Sequence, residues 1–286
     1  MDCKSTLLRK PYWLKIKKLP AAGEYALIKS HLRKNHLNTI CESGNCPNIG
    51  ECWAAGTATF MILGDICTRN CKFCAVEKGK PLNVDTEEPK NIANVIAELK
   101  LHHCVITSVT RDDLKDGGAN HWAETVKQIK ALSPGTTIET LVPDFDGNVE
   151  ALDIVINSRP DIISHNMETV KRLTQVIRVK ADYDLSLNVI NRISSSGIRS
   201  KSGFMLGLGE TEVEVIEAIK DLYSNGCRIL TIGQYLQPTV NNHPVFRYVD
   251  PEDFARLKQA ALDIGFEFVE SGPFVRSSYH AEKHIV

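Results

Sequence analysis

A chain of 286 residues, 43% hydrophobic and 24% charged, is long enough for one large α/β domain or two small ones, and its composition is that of an ordinary globular protein. Its net charge of −1 gives no electrostatic ground for binding nucleic acid or an anionic membrane. No apolar run approaches the roughly eighteen residues of a membrane-spanning helix, and the N-terminus lacks the apolar core of a signal peptide.

In chain order, residues 1–20 carry Lys4, Arg9, Lys10, Lys15, Lys17 and Lys18 against a single acid, Asp2. Such a strip reads as a solvated arm or as a docking strip for an acidic partner. Residues 24–38 show helical spacing, with Ala26, Leu27 and Leu32 apolar, and His31 and His36 are expected at the surface rather than as ligands.

Six of the nine cysteines then fall between Cys41 and Cys74, in two triplets. Cys41, Cys46 and Cys52 have C-x4-C-x5-C spacing; Cys67, Cys71 and Cys74 have C-x3-C-x2-C spacing. Regular thiol clusters in a chain without an export signal point to metal rather than disulfides, and to a reducing compartment, with the cytoplasm the expected location. A structural zinc site closes with a fourth Cys or His, and neither triplet has one beside it. Three thiolates can instead hold three irons of a [4Fe–4S] cube and leave the fourth iron open to a small molecule. Phe73, just before the last cysteine, is placed to shield such a cluster. Cys104 and Cys227 read as buried small hydrophobes, and Cys3 is uninformative.

From Thr57 onward, strand-like and helix-like segments alternate. Strands are expected at 58–64, 104–109, 137–142, 161–166, 199–206 and 228–236. Helices are expected at 89–100, 120–132, 147–157, 168–175, 182–196, 211–224 and 251–264. Alternation of this kind predicts a parallel sheet. Six βα units are too few for a closed eight-stranded barrel, so the expected architecture is an open, partial one. The Cys67–Cys74 loop follows the first strand and so falls at the carboxyl end, where α/β barrels place their chemistry.

Other strand ends offer further candidates. TRDDLKDGGAN supplies Asp112, Asp113 and Asp116 as acid–base groups and Gly117–Gly118 as a weak phosphate cradle. In SHNMET, Asn166 and Glu168 read either as a helix cap and first-turn acid or as partners for ribose hydroxyls. Gly203, Gly207 and Gly209 permit close backbone approach, to adenine on a functional reading. Glu210 with Thr211 reads equally as a helix start. Gln234 and Gln237 are either inward-facing or structural. Ser277 and Ser278, by themselves, are turn residues.

CTRNCKFC resembles the signature of radical S-adenosylmethionine (SAM) enzymes, in which the open iron chelates the amino and carboxylate groups of the methionine. The whole string from Cys41 to Cys74 resembles the lipoyl synthase family, which the additional triplet separates from most of its relatives. The similarity runs from KPYWLK near Lys10 to RSSYHA near the end. KPYWLK resembles the family's mature sequence, which speaks against a cleaved transit peptide.

That resemblance implies a partial (β/α)6 TIM-type barrel with N- and C-terminal extensions. The expected parts are residues 1–56 with the auxiliary triplet, 57–250 as the barrel, and 251–286 as a helix and RSSY tail. It implies two [4Fe–4S] clusters and SAM as cofactors. The cluster on Cys67, Cys71 and Cys74 would reduce SAM to give a 5′-deoxyadenosyl radical. The cluster on Cys41, Cys46 and Cys52, completed by Ser278 rather than Ser277, would donate sulfur to C6 and C8 of a protein-bound octanoyl chain. No side chain is expected to be catalytic in its own right. In the related biotin synthase family, an asparagine and an acid contact the nucleoside and an arginine pairs the methionine carboxylate; here these match Asn166, Glu168 and Arg178. Arg276 is expected near cluster or substrate, and the RDDL loop is expected to shape the site. The implied partners are an octanoylated lipoyl carrier domain or H-type carrier protein, approached through Lys15, Lys17 and Lys18, and a reductant such as ferredoxin or flavodoxin.

Overall fold

The apolar runs pair into a single eight-stranded sheet. A computed structural model describes residues 8–15, 22–54 and 57–285. Lys4, Lys17, Lys18 and Cys3 lie outside the described residues, whereas Lys15 is described and exposed. Three helices come first: α1 (Ala22–Lys34), α2 (Ile40–Ser43) and α3 (Ile49–Ala54). Between α1 and α2, the short strand β1 (Asn38–Thr39) runs antiparallel to β2 (Thr57–Ile62). Strands β3 (Ile66–Cys67) and β4 (Glu77–Lys78) form a separate two-stranded ladder.

The barrel then proceeds by alternation: α4 (Glu88–Glu98), β5 (His103–Ser108), α5 (Ala119–Leu132), β6 (Thr137–Leu141), α6 (Val149–Asn157) and β7 (Ile162–Ser164). It continues with α7 (Thr174–Arg178), α8 (Tyr183–Ser195), β8 (Arg199–Leu206), α9 (Glu212–Ser224), β9 (Ile229–Gln234), α10 (Pro251–Ile264) and β10 (Phe268–Gly272). Strand order is β1-β2-β5-β6-β7-β8-β9-β10, and every pairing from β2 to β10 is parallel. β1 and β10 are the two edges, so the α/β barrel is open, as expected.

Two local causes set these boundaries. Strands β2 and β9 are buried along their whole length, and strands covered on both faces read as continuous apolar runs. Helices start where a side chain can accept their free N–H groups. Asn148 caps α6, Asp182 caps α8, and Thr211 with Glu214 forms a capping box on α9. Apolar residues of α4, α5 and α6 pack on β2, β5 and β6, and those of α9 and α10 pack on β8 and β9.

Two expectations are corrected. The segment from 168 is not helical: Glu168 has a φ of +65°, its N–H donates to Gly203 O, and its carbonyl accepts from Met205 N. It therefore extends the edge of β7 against β8; a 3-10 turn follows at Lys171–Leu173, and α-helix begins at Thr174. The second is a seventh parallel strand, β10, absent from the expected set. It is only partly buried and lacks a long apolar run, but it pairs with β9 over five residues. Among the described residues, no helix is long and apolar enough to cross a membrane.

Candidate active site

The second cysteine triplet lies in the loop leaving β2, and the backbone of neighbouring loops holds it in place. Cys67 Sγ accepts N–H groups from Arg69 (3.4 Å) and Thr110 (3.3 Å), which fix its sulfur at the rim. Lys72 N donates to Ile177 O at 2.8 Å, and the Cys71 thiol points at Arg178 O. Asn242 Nδ2 reaches both Lys72 O and Cys74 O, and Lys78 Nζ donates to Cys74 O at 2.7 Å. Burial and the neighbouring Cys74 push the Cys71 thiol up to about 12, and burial raises Cys74.

Arg69, inside this loop, is buried and doubly bidentate. Its Nε and Nη2 engage Asp112 at 2.9 Å, and its Nη atoms engage Asp144 at 2.7–2.8 Å. Lys180 adds a contact to Asp112 at 3.0 Å. Burial alone would raise the Asp144 carboxyl, but Arg69 overrides it and holds the group at about 2. One guanidinium thus ties the cysteine loop to the loops after β5 and β6. Sequence reading passed over Arg69. The available signal was a buried-strand end rich in unmatched aspartates, at 112, 113, 144 and 146.

The acid–base option for the RDDL loop does not hold geometrically. Asp112 pairs with Arg69, Asp113 with Arg111, and Asp116 accepts the N–H groups of Gly118 and Asn120 at the start of α5. A Cβ on Gly118 would fall 2.5 Å from Leu63 Cδ1, so its bare backbone serves packing rather than a phosphate. Gln234 bonds Leu206 O, Tyr235 O and Arg247 O and accepts from Val249 N, which is the structural alternative. Glu210 accepts from Gly207 and Leu208, and Gly207 is packed against Arg247 O and Gln234, so the approach it permits is to this chain itself. Phe73 packs against the apolar cluster of β8 and β9.

Asn166, Glu168, Arg178 and Cys71 do come together. Asn166 Nδ2 lies 3.1 Å from Glu168 Oε1. The Arg178 guanidinium is buried, bonded to Ser186 Oγ at 2.8 Å, and its charge acts on both Glu168 and Cys71. Burial raises the Glu168 carboxyl against the opposing effect of Arg178.

The first triplet sits on the other side of β2. Cys41 rides on α2, which Thr39 caps, and Cys52 on α3, with Cys46 between them. Burial and mutual repulsion push Cys41 up to about 11 and Cys52 up to about 12. Burial also raises Cys46, and the nearby Arg276 opposes this. Thr59 of β2 approaches Cys41 with its N–H and its hydroxyl, and that hydroxyl lies 2.9 Å from Ser278 Oγ.

The tail after β10 crosses the barrel to make these contacts. A Cβ on Gly233 would fall 2.1 Å from Val275 O, so only glycine lets the tail pass β9. Asn48 Nδ2 donates to Phe274 O (2.7 Å), Ser277 Oγ accepts from Asn166 Nδ2 (2.6 Å), and Tyr279 Oη reaches Glu51 (3.2 Å). His284 ends buried near Lys201, Glu139 and His103. Lys201 and Glu139 form a fully buried pair at 2.8 Å, with Ser164 also on Glu139.

Both sets of donors suit the groups they are expected to hold. Each cysteine triplet is soft, and its buried thiols disfavour one another's ionisation, so a cationic centre is needed to hold them as thiolates.

Residues 61–222 match the Radical SAM superfamily model. The chain is 57% identical over 278 residues to a lipoyl synthase of Bacteroides thetaiotaomicron, covering 97% of this chain and 98% of that one. It is 54% identical to a mitochondrial lipoyl synthase of Nematostella vectensis, over 96% and 95% of the two chains. Among solved structures it resembles methylornithine synthase (TM-score 0.55, 15% identity, 88% of this chain and 79% of that one). It also resembles Streptococcus suis SuiB bound to S-adenosylmethionine (TM-score 0.59, 10% identity, 86% and 61%); at such identities the likeness is one of fold.

Proposed function

Because this chain belongs to the radical SAM superfamily and, within it, to the lipoyl synthases, we propose a division of labour between its two cysteine sites and its barrel. The reaction is the insertion of two sulfur atoms, at C6 and C8 of a protein-bound octanoyl group. A [4Fe–4S] cluster and SAM are its cofactors. When bound, the cluster and SAM supply the radical that removes hydrogen, and an auxiliary cluster supplies the sulfur. The rest is done by this chain's own residues.

Cys67, Cys71 and Cys74 hold the SAM-cleaving cluster, and Arg69 keeps their loop locked to the barrel rim. Cys41, Cys46, Cys52 and Ser278 hold the auxiliary cluster. Asn166 and Glu168 bind the ribose, and Arg178 faces the methionine carboxylate with a planar guanidinium. The buried barrel wall keeps water from the reacting chain. The exposed Lys15, with Lys17 and Lys18, receives an acidic carrier, either a lipoyl domain or an H-type protein, and a ferredoxin- or flavodoxin-type protein is the reductant.

The observation that carries the sulfur-donor assignment is the tail itself. It brings Ser278 within 2.9 Å of Thr59, the residue that also touches Cys41, so a fourth oxygen donor stands beside a triplet that lacks a fourth thiol. Mass spectrometry of an octanoylated carrier, incubated with anaerobically reconstituted protein, SAM and reductant, tests it. The expected product carries two added sulfurs. Unchanged carrier in the presence of SAM cleavage would reject the assignment, because an auxiliary cluster that only relays electrons keeps its sulfides.

A further inference from the structure

We propose that Ser277 is a positioning residue for the nucleoside: together with Glu168 it holds the rotation of the Asn166 carboxamide, so that Asn166 meets its ligand as a hydrogen-bond acceptor. The inference rests on the reading of Asn166 and Glu168 as the ribose site, and it deepens that reading.

A primary amide has two N–H donors and one carbonyl acceptor. Asn166 Nδ2 has two acceptors within reach, Glu168 Oε1 at 3.1 Å and Ser277 Oγ at 2.6 Å. Both donors are therefore engaged. In the flipped rotamer the amide carbonyl would face the Glu168 carboxylate, acceptor against acceptor, so Glu168 selects the orientation and Ser277, whose hydroxyl oxygen then accepts the second N–H, holds it. Asn166 Oδ1 is then turned toward Gly203, 3.4 Å from where a Cβ would stand, and no described residue donates to it. Glu168 keeps one oxygen without a described donor as well. Two free acceptors on two residues that are bonded to each other fit two adjacent hydroxyl donors, the pattern of a ribose diol.

Ser277 is not on the barrel wall. It lies on the tail turn closed by Tyr279 N to Arg276 O, next to Ser278. Consecutive serines therefore face different elements: Ser277 meets Asn166 beyond β7, and Ser278 meets Thr59 on β2. The turn that presents the auxiliary donor is the same turn that orients the nucleoside acceptor. Nucleoside binding and the seating of Ser278 are thereby mechanically joined.

The test is equilibrium binding of SAM to anaerobically reconstituted protein, read together with iron and sulfide content. Ser277→Ala should weaken SAM binding about tenfold, the loss of about one net hydrogen bond (~1.4 kcal/mol), while iron and sulfide stay at wild-type levels. Turnover should show a raised KM for SAM at unchanged kcat. Ser277→Thr, which keeps the hydroxyl, should restore most of the affinity, which a merely structural role for this turn would not require. Asn166→Ala with Ser277→Ala should bind no worse than Asn166→Ala alone, because both changes remove one network. Wild-type SAM affinity in Ser277→Ala, beside weakened binding in Asn166→Ala, would overturn this inference alone. Wild-type affinity in Asn166→Ala would overturn the ribose reading and the inference with it. Loss of iron in Ser277→Ala but not in Ser278→Ala would make Ser277 the cluster ligand and overturn the inference.

Discussion

Thr59 and Ser278, 219 positions apart in the chain, stand with their hydroxyl oxygens 2.9 Å from each other in the barrel. Thr59 also bonds Cys41, so the two residues form the bridge between the C-terminal tail and the first cysteine triplet. Oxygen is a harder ligand than thiolate, and a cube with one oxygen ligand loses that iron most readily.

Ser278→Ala is accordingly expected to leave SAM binding and the Cys67/Cys71/Cys74 iron intact while impairing sulfur insertion. Ser278→Cys should keep the auxiliary cluster and slow the first carbon–sulfur bond. Single-turnover product analysis with octanoylated carrier reads both. Wild-type yield of doubly thiolated product from both variants would exclude Ser278 as the ligand.

Reconstituted protein should contain about eight irons per chain, for two four-iron clusters. Replacing Cys67, Cys71 and Cys74 together by Ala should remove roughly half of that iron and all SAM cleavage. Replacing the first triplet should remove the other half and leave SAM cleavage. Iron analysis and the yield of 5′-deoxyadenosine are the measurements, and zinc in place of iron would refute the assignment.

Arg69→Ala leaves Asp144, almost wholly buried, without its partner. Breaking a buried pair from one side costs about 3–5 kcal/mol. Arg69→Lys should recover little, since one ammonium cannot serve two carboxylates bidentately. Anaerobic urea titration measures the loss, and a change under about 1 kcal/mol would show that the network contributes no more than a surface pair.

Acid should destabilise the fold through two buried histidines. Burial lowers His165 to about 4, with Arg178 adding to the effect, and lowers His284 to about 3, with Lys201 adding. Neither ring nitrogen of His284 has a hydrogen-bond partner among the described residues, so a proton there would have no acceptor. A folded pKa below the unfolded value of about 6.5 means that the unfolded chain binds more protons in this window. The stabilisation is therefore full above pH 6.5 and is lost as pH falls toward 4. Between pH 7 and 5 each group should remove on the order of 2 kcal/mol. Urea midpoints across that range, in wild type and His284→Leu, check it; the variant should show a shallower fall.

Lys15, Lys17 and Lys18 changed to Glu should raise the carrier KM and weaken its dependence on salt, because rim charges act through on-rate and are screened. The SAM KM should not move. An unchanged carrier KM would remove the docking role from this strip.

Much of this protein could be read from its residues in order, because the determinants are local. Thiol spacing is a property of a few neighbouring residues, so both triplets were visible as they stand. The buried strands β2, β5 and β9 read as largely apolar runs, and α10 begins at Pro251 and ends before Gly265 as the sequence suggests. Strand β10 was missed because its residues are half-exposed and its identity comes from hydrogen bonds to β9. Glu168 was misplaced on a helix because only its bridge to Phe204 of β8, made with a left-handed backbone, takes it out of the helix. Arg69 was signalled only indirectly, by unmatched aspartates elsewhere in the chain, since Asp112 and Asp144 become its partners only when three loops meet at one rim. Ser277 and Ser278 are chemically identical neighbours. What separates them is long-range: the turn after β10 sends one side chain to Asn166 and the next to Thr59, and no window of sequence holds both ends of either contact.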